Sequence, residues 1–200
     1  MSVAAQVRQA VESIDRRAFL RARDLPGSRS AVDSALSRLA ADGELVRVHK
    51  GLYYRPPPRG RKRPLPLEVG MAIGGRGAGP AGISAARLFG LTTQVPSVEA
   101  VAVPGRAPAD REGVRFVARS FSRREQGLNP YEAGLLEVLR DFEIISEEPF
   151  DRLSAIVQRA IDHDKIRVDR VRDAVDDEWD LDTRHRWHRL EEHLGLLVTA

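Results

Sequence analysis

Val3, Val7, Val11 and Ile14 recur at spacings of four, four and three, which draws one apolar stripe along a first helix. Leu20 and Leu25 flank a second short helical stretch, RARDL, and Pro26-Gly27 supplies the turn that ends it. Ser28 is a good N-cap for a third helix, whose buried face is Val32, Ala35, Leu36 and Leu39 at i, i+3, i+4 and i+7. Asp42-Gly43 stops that helix, with the glycine suited to a left-handed residue just past its end. The period then changes. Leu45, Val46 and Val48 read as a strand, His49-Lys50-Gly51 as a tight connection, and Leu52, Tyr53 and Tyr54 as the return strand.

Helix, short helix, helix and hairpin is the layout of a winged helix-turn-helix, expected over residues 1–56. Residues 57–66 lie within PPPRGRKRPLP, which fits neither a helix interior nor a central strand and reads as a basic, semi-rigid linker. A second domain, 67–200, reads as mixed α/β with helices at its C-terminal end, so the chain as a whole is expected to be α+β. Leu67 to Ile73 forms a short helix, and Ser84 caps another that ends at Gly90. Strands are expected at Val98–Val103 and Val114–Ala118. Asn129-Pro130 starts a helix carrying Leu135, Leu136, Val138 and Leu139, and further helices follow near 151–163, 168–177 and 183–195.

Charge sharpens this division. Residues 1–63 hold 14 Lys/Arg and 6 Asp/Glu, whereas the rest of the chain holds 18 and 23, so a basic first part precedes an acidic second one. The absence of cysteine excludes disulfides and thiolate chemistry, and fits the cytoplasm. No apolar run is long enough to span a membrane. The N-terminus reads as an amphipathic helix and not as a secretory signal.

With the apolar face of the third helix turned inward, Arg29, Ser30, Asp33, Ser34, Ser37 and Arg38 face outward. Short polar side chains let a helix sit deep in a major groove, and arginine takes guanine edges or phosphates. The residues near the helix start (Arg29, Ser30, Asp33, Ser34) are placed to read bases, and Arg38 to meet phosphate. Arg47, His49 and Lys50 sit at or near the hairpin tip. Arg59, Arg61, Lys62 and Arg63 of the linker add phosphate contacts.

Other patterns carry less. Gly77 to Gly82 match G-x-G-x-x-G, with Glu99 as an acid further on, but Pro80 interrupts the turn and no strand is evident before it. A flexible connector into the Ser84 helix is the simpler reading. His185, His188 and His193, with Asp182, Glu191 and Glu192, lie on a helix whose apolar stripe is Trp187, Leu190, Leu194 and Leu197, so they read as a solvated face and not as metal ligands. Asp162-His163-Asp164 reads as a helix-end turn. No nucleophile elbow or paired carboxylate stands out, so neither a cofactor nor catalysis is expected.

The segment Ser28 to Tyr54 resembles the N-terminal domain of the AbiEi-like antitoxins of type IV toxin–antitoxin systems. The resemblance rests on Ser30-Ala31-Val32, Ala35-Leu36-Ser37-Arg38-Leu39, Gly43-Glu44-Leu45 and Lys50-Gly51-Leu52-Tyr53-Tyr54. It continues through Ile83-Ser84-Ala85-Ala86, Gly90 to Pro96 and Val101-Ala102-Val103-Pro104, covering about residues 12–118. The resemblance implies a bacterial or archaeal repressor that binds double-stranded DNA at its own operator and neutralises a nucleotidyltransferase-like toxin. It implies a DNA-facing role for Arg29, Ser30, Ser34, Arg38, Arg47 and Lys50. Two other readings of the residues stay open: a winged helix that binds protein and not DNA, and an enzyme acting on nucleic acid from a site in the second domain. The oligomeric state and the role of residues 119–200 are not legible.

Overall fold

The computed structural model describes residues 1–196. Leu197, read as the end of the last apolar stripe, lies outside the described residues. The chain is mixed α+β and falls into two compact units, Met1–Ile73 and a second from Gly74 onward.

In the first unit, α1 (Val3–Ser13) is capped by Ser2, whose side chain accepts from the Ala5 amide. A strand β1 (Phe19–Arg21) follows, then a single 3-10 turn over Ala22–Asp24, α2 (Arg29–Ala41), β2 (Val46–His49) and β3 (Leu52–Tyr54). Of the stretch RARDL read as a second short helix, Ala22–Asp24 is a short 3-10 helix, while Arg21 ends a strand. The reason is tertiary: Phe19 pairs with Tyr54 and Arg21 with Leu52, so β1 joins the hairpin in an antiparallel sheet of order β1-β3-β2. Val7, Val11, Leu20, Val32, Ala35, Leu36, Leu39, Leu45 and Tyr53 form one apolar core, with Val3 and Ile14 packed against it. Ser28 stands at the N-cap of α2 in an extended conformation, but its side chain makes no capping bond. Gly43 follows the C-cap at φ +77°, a left-handed conformation open to glycine at little cost.

The proline-rich segment is attached to this unit. Pro56 and Pro57 are buried, and Arg16 donates to the Pro56 carbonyl at 3.2 Å. The helix α3 (Pro66–Gly74) follows, and Arg21 donates to the Ala72 and Ile73 carbonyls near its end. The compact unit thus runs on to Ile73 instead of breaking at a linker over 57–66.

The second unit places β4 (Gly79–Ala81), β5 (Glu99–Pro104) and β6 (Val114–Arg119) in a sheet of that order, β4 antiparallel to β5 and β5 parallel to β6. Gly79–Ala81 is a buried strand, not a flexible connector. Its glycines answer to packing: a Cβ at Gly79 would stand 2.7 Å from the Cβ of Ala133, and one at Gly77, where φ is +81°, 2.6 Å from the Arg123 carbonyl oxygen. Helix α4 (Ile83–Leu88) begins after Gly82. Ser84 caps nothing; its Oγ donates to Glu99 at 2.6 Å and accepts the Ala100 amide at 3.1 Å. A short helix α5 (Ser122–Glu125) leads to α6 (Pro130–Ile145), which Asn129 and Glu132 start with a reciprocal capping box. Residues 132–139 of α6 are all buried, so this helix runs through the centre of the unit. Helices α7 (Phe150–Asp162), α8 (Val168–Asp176) and α9 (Leu181–Leu194) complete it. No helix among the described residues is long and apolar enough to cross a membrane.

Candidate nucleic-acid interface

Helix α2 divides as its spacing requires: Val32, Ala35, Leu36 and Leu39 are buried, while Arg29, Ser30, Ser34, Ser37 and Arg38 are exposed and Asp33 half-buried. Arg29 Nε lies 3.9 Å from Asp33 Oδ2, an exposed i,i+4 pair that is weak by geometry and by solvation. The guanidinium is therefore free to exchange that partner for another.

The β2–β3 hairpin stands next in sequence. Arg47, His49 and Lys50 are exposed, Arg47 opposite Tyr53 and His49 opposite Leu52, with a bulge between the two pairs. Gly51 closes the turn at φ +69°. Arg59, Arg61, Lys62 and Arg63 are exposed as well. Lys62 is not wholly committed to solvent, since its Nζ donates to the Pro57 and Pro58 carbonyls at 2.9 and 2.7 Å.

A cleft of about 510 Å³ joins the start of α2 to the hairpin tip. Arg21, Arg23, Arg29, His49 and Lys50 line it, over an apolar floor that includes Val32 and Leu52. None of its lining residues among those described is a carboxylate. So the structure brings Arg29, His49 and Lys50 to one cleft, while Arg38 and the 59–63 cations lie outside it. Arg21 and Arg23 are additions that the sequence reading missed. Arg21 ends strand β1 and Arg23 lies in the 3-10 turn after it, so no single period in the sequence joins them.

The second unit treats charge differently. Arg119 donates to both carboxylate oxygens of Glu137 at 2.7 and 2.8 Å. The fully buried Arg123 reaches Glu137 at 2.7 Å and Glu178 at 2.6 Å. Arg140 continues to Glu178 at 2.8 Å and Asp180 at 3.4 Å. Burial alone would push the Glu137 carboxyl up, but the Arg123 charge and the Arg119 bonds outweigh it and hold the group below the usual carboxylate range. Asp180 is likewise lowered against its own burial, by bonds from Thr183 and by Arg140. Asp141 is raised by burial and by the Glu137 charge. None of these residues was singled out from the sequence.

On the histidine-rich helix His188 lies 3.5 Å from Glu192, and His193 is hydrogen-bonded to the Arg189 carbonyl at 2.8 Å and lies 3.5 Å from Asp151 of α7. Among the described residues no three His, Asp or Glu side chains are grouped to hold a metal ion.

No family model matches the chain, and no curated protein sequence matches it. Among solved structures it is similar to the RV2827C protein from Mycobacterium tuberculosis, at 20% identity over 96% of this chain and 77% of that one, with a TM-score of 0.42. A likeness this loose carries no function from one chain to the other.

Proposed function

We propose that the chain is a non-enzymatic, DNA-binding transcriptional regulator of the AbiEi antitoxin type, acting in the cytoplasm. In this reading the first unit is a winged helix-turn-helix, with α2 as the recognition helix and the β2–β3 hairpin as the wing. The order α1, β1, α2, β2, β3 and the sheet order β1-β3-β2 support that reading. The observation that carries it is the cation-lined cleft between the start of α2 and the hairpin tip, beside an exposed face of short polar side chains. A duplex laid against such a surface would meet Ser30 and Ser34 at base edges and Lys50 at phosphate. The protein represses its own operon, and the second unit counteracts a nucleotidyltransferase-like toxin.

The test is binding of the full chain to its own upstream DNA, against a scrambled duplex of equal length, at two salt concentrations. The upstream fragment is expected to bind more tightly, with affinity falling steeply as salt rises. Arg29→Ala should narrow the gap between upstream and scrambled DNA. Lys50→Ala should weaken both about equally and reduce the salt slope by about one. Failure to bind either duplex would overturn the DNA reading.

A further inference from the structure

A cleft of about 850 Å³ opens in the second unit beside the buried arginine network. Arg119 and Arg140 line it, and so do two aromatic side chains, Phe121 and Trp179. Trp179 is 92% exposed, Phe121 51%, and the adjacent Leu181 65%. Tryptophan is the side chain most often found anchoring interfaces, and an apolar surface of this kind beside a cleft marks a docking site.

The charge of the cleft selects the occupant. Both lining cations are already neutralised, Arg119 by Glu137 and Arg140 by Glu178 and Asp180. Glu125 and Asp177 also line the cleft and are exposed, and neither has an ion-pair partner among the described residues. Asp177 is moreover the C-cap of α8, at the negative end of its macrodipole. The uncompensated charge among the lining residues is therefore negative.

We infer that this cleft docks a basic segment of a partner protein. An arginine or lysine of the segment stacks on Trp179 and is held by Glu125 and Asp177, and its apolar neighbours pack against the exposed part of Phe121. The inference concerns the second unit alone and does not depend on the DNA reading.

The experiment titrates the full chain with a short synthetic peptide of alternating arginine and leucine, and with the same peptide carrying glutamate for arginine. Binding is followed by anisotropy of the labelled peptide and by tryptophan emission. The arginine peptide is expected to bind and to shift the emission to the blue, as Trp179 leaves water, and the glutamate peptide to do neither. Trp179→Ala, and separately the pair Glu125→Gln and Asp177→Asn, should weaken binding by about tenfold or more. Both variants should leave upstream-DNA affinity unchanged. These side chains are exposed, so either variant serves if the other folds poorly. No binding by the wild-type chain, equal binding of the two peptides, or variants that bind like wild type would each overturn the inference.

Discussion

The two units use the same residue types in opposite ways. In the first, a set of arginines and lysines stands outside: Arg29 has a weak ion pair with the half-buried Asp33, and Arg47, Lys50 and Arg61 lie on the surface. In the second, Arg123 is fully buried between two glutamates, and Arg119 and Arg140 extend the chain of pairs on either side. Exposed charge adds little to stability and is available to a partner. Buried charge is costly to strip of its counter-ion and, once paired, holds several elements in one arrangement. Arg29, Arg47, Lys50 and Arg61 are thus accessible to a partner, while Arg119, Arg123 and Arg140 are committed to architecture.

The sharpest way to break this contrast is to remove the buried cation. Arg123→Met leaves Glu137 and Glu178 short of a partner and should lower the stability of the second unit by about 3–5 kcal/mol. Both tryptophans of the chain, Trp179 and Trp187, belong to that unit, so urea unfolding followed by tryptophan emission reads it selectively. Leu36→Ala, in the core of the first unit, should cost about 2–5 kcal/mol there. Circular dichroism should report the loss while the tryptophan transition stays in place, and a joint shift would show that the two stabilities are not separate. Acidification comes next. Glu137 has a lowered pKa in the folded state, so its contribution is fully present above its ordinary value of 4.5 and is lost as pH falls below it. Asp180 acts in the same sense and Asp141, whose pKa is raised, in the opposite one. The tryptophan-monitored midpoint in urea should therefore decline below about pH 4.5, and Glu137→Gln should flatten that decline. The smallest effect is expected from Lys50→Ala, which should change stability by no more than about 0.5 kcal/mol, by the same urea curves, while still weakening DNA binding.

What could be read from the sequence was local. The face of α2 follows from a helical period, and the start of α6 from Asn129, Pro130 and Glu132 within one turn. What escaped was non-local. Strand β1 is three residues long, too short to show a period, and exists because Phe19 finds Tyr54. Strand β4 contains a glycine and a proline, which argue against a strand until α6 is seen to press on it. The cationic cleft was half legible: Arg29, His49 and Lys50 were chosen for their faces, whereas Arg21 and Arg23 needed the strand to bring them there. The buried network had one visible sign, a lone glutamate in the apolar run Leu135-Leu136-Glu137-Val138-Leu139. A helix apolar on every side is a central one, and an acid within it must find a cation.

Strand β2 lies at the edge of its sheet, where no further strand among the described residues pairs with its outer side. Such an edge invites another chain to add itself, and proteins guard against this with cations and irregular backbone. Arg47 and the bulge between the Arg47 and His49 pairs supply both. A charged, irregular outer margin of this kind disfavours the addition of another chain's strand.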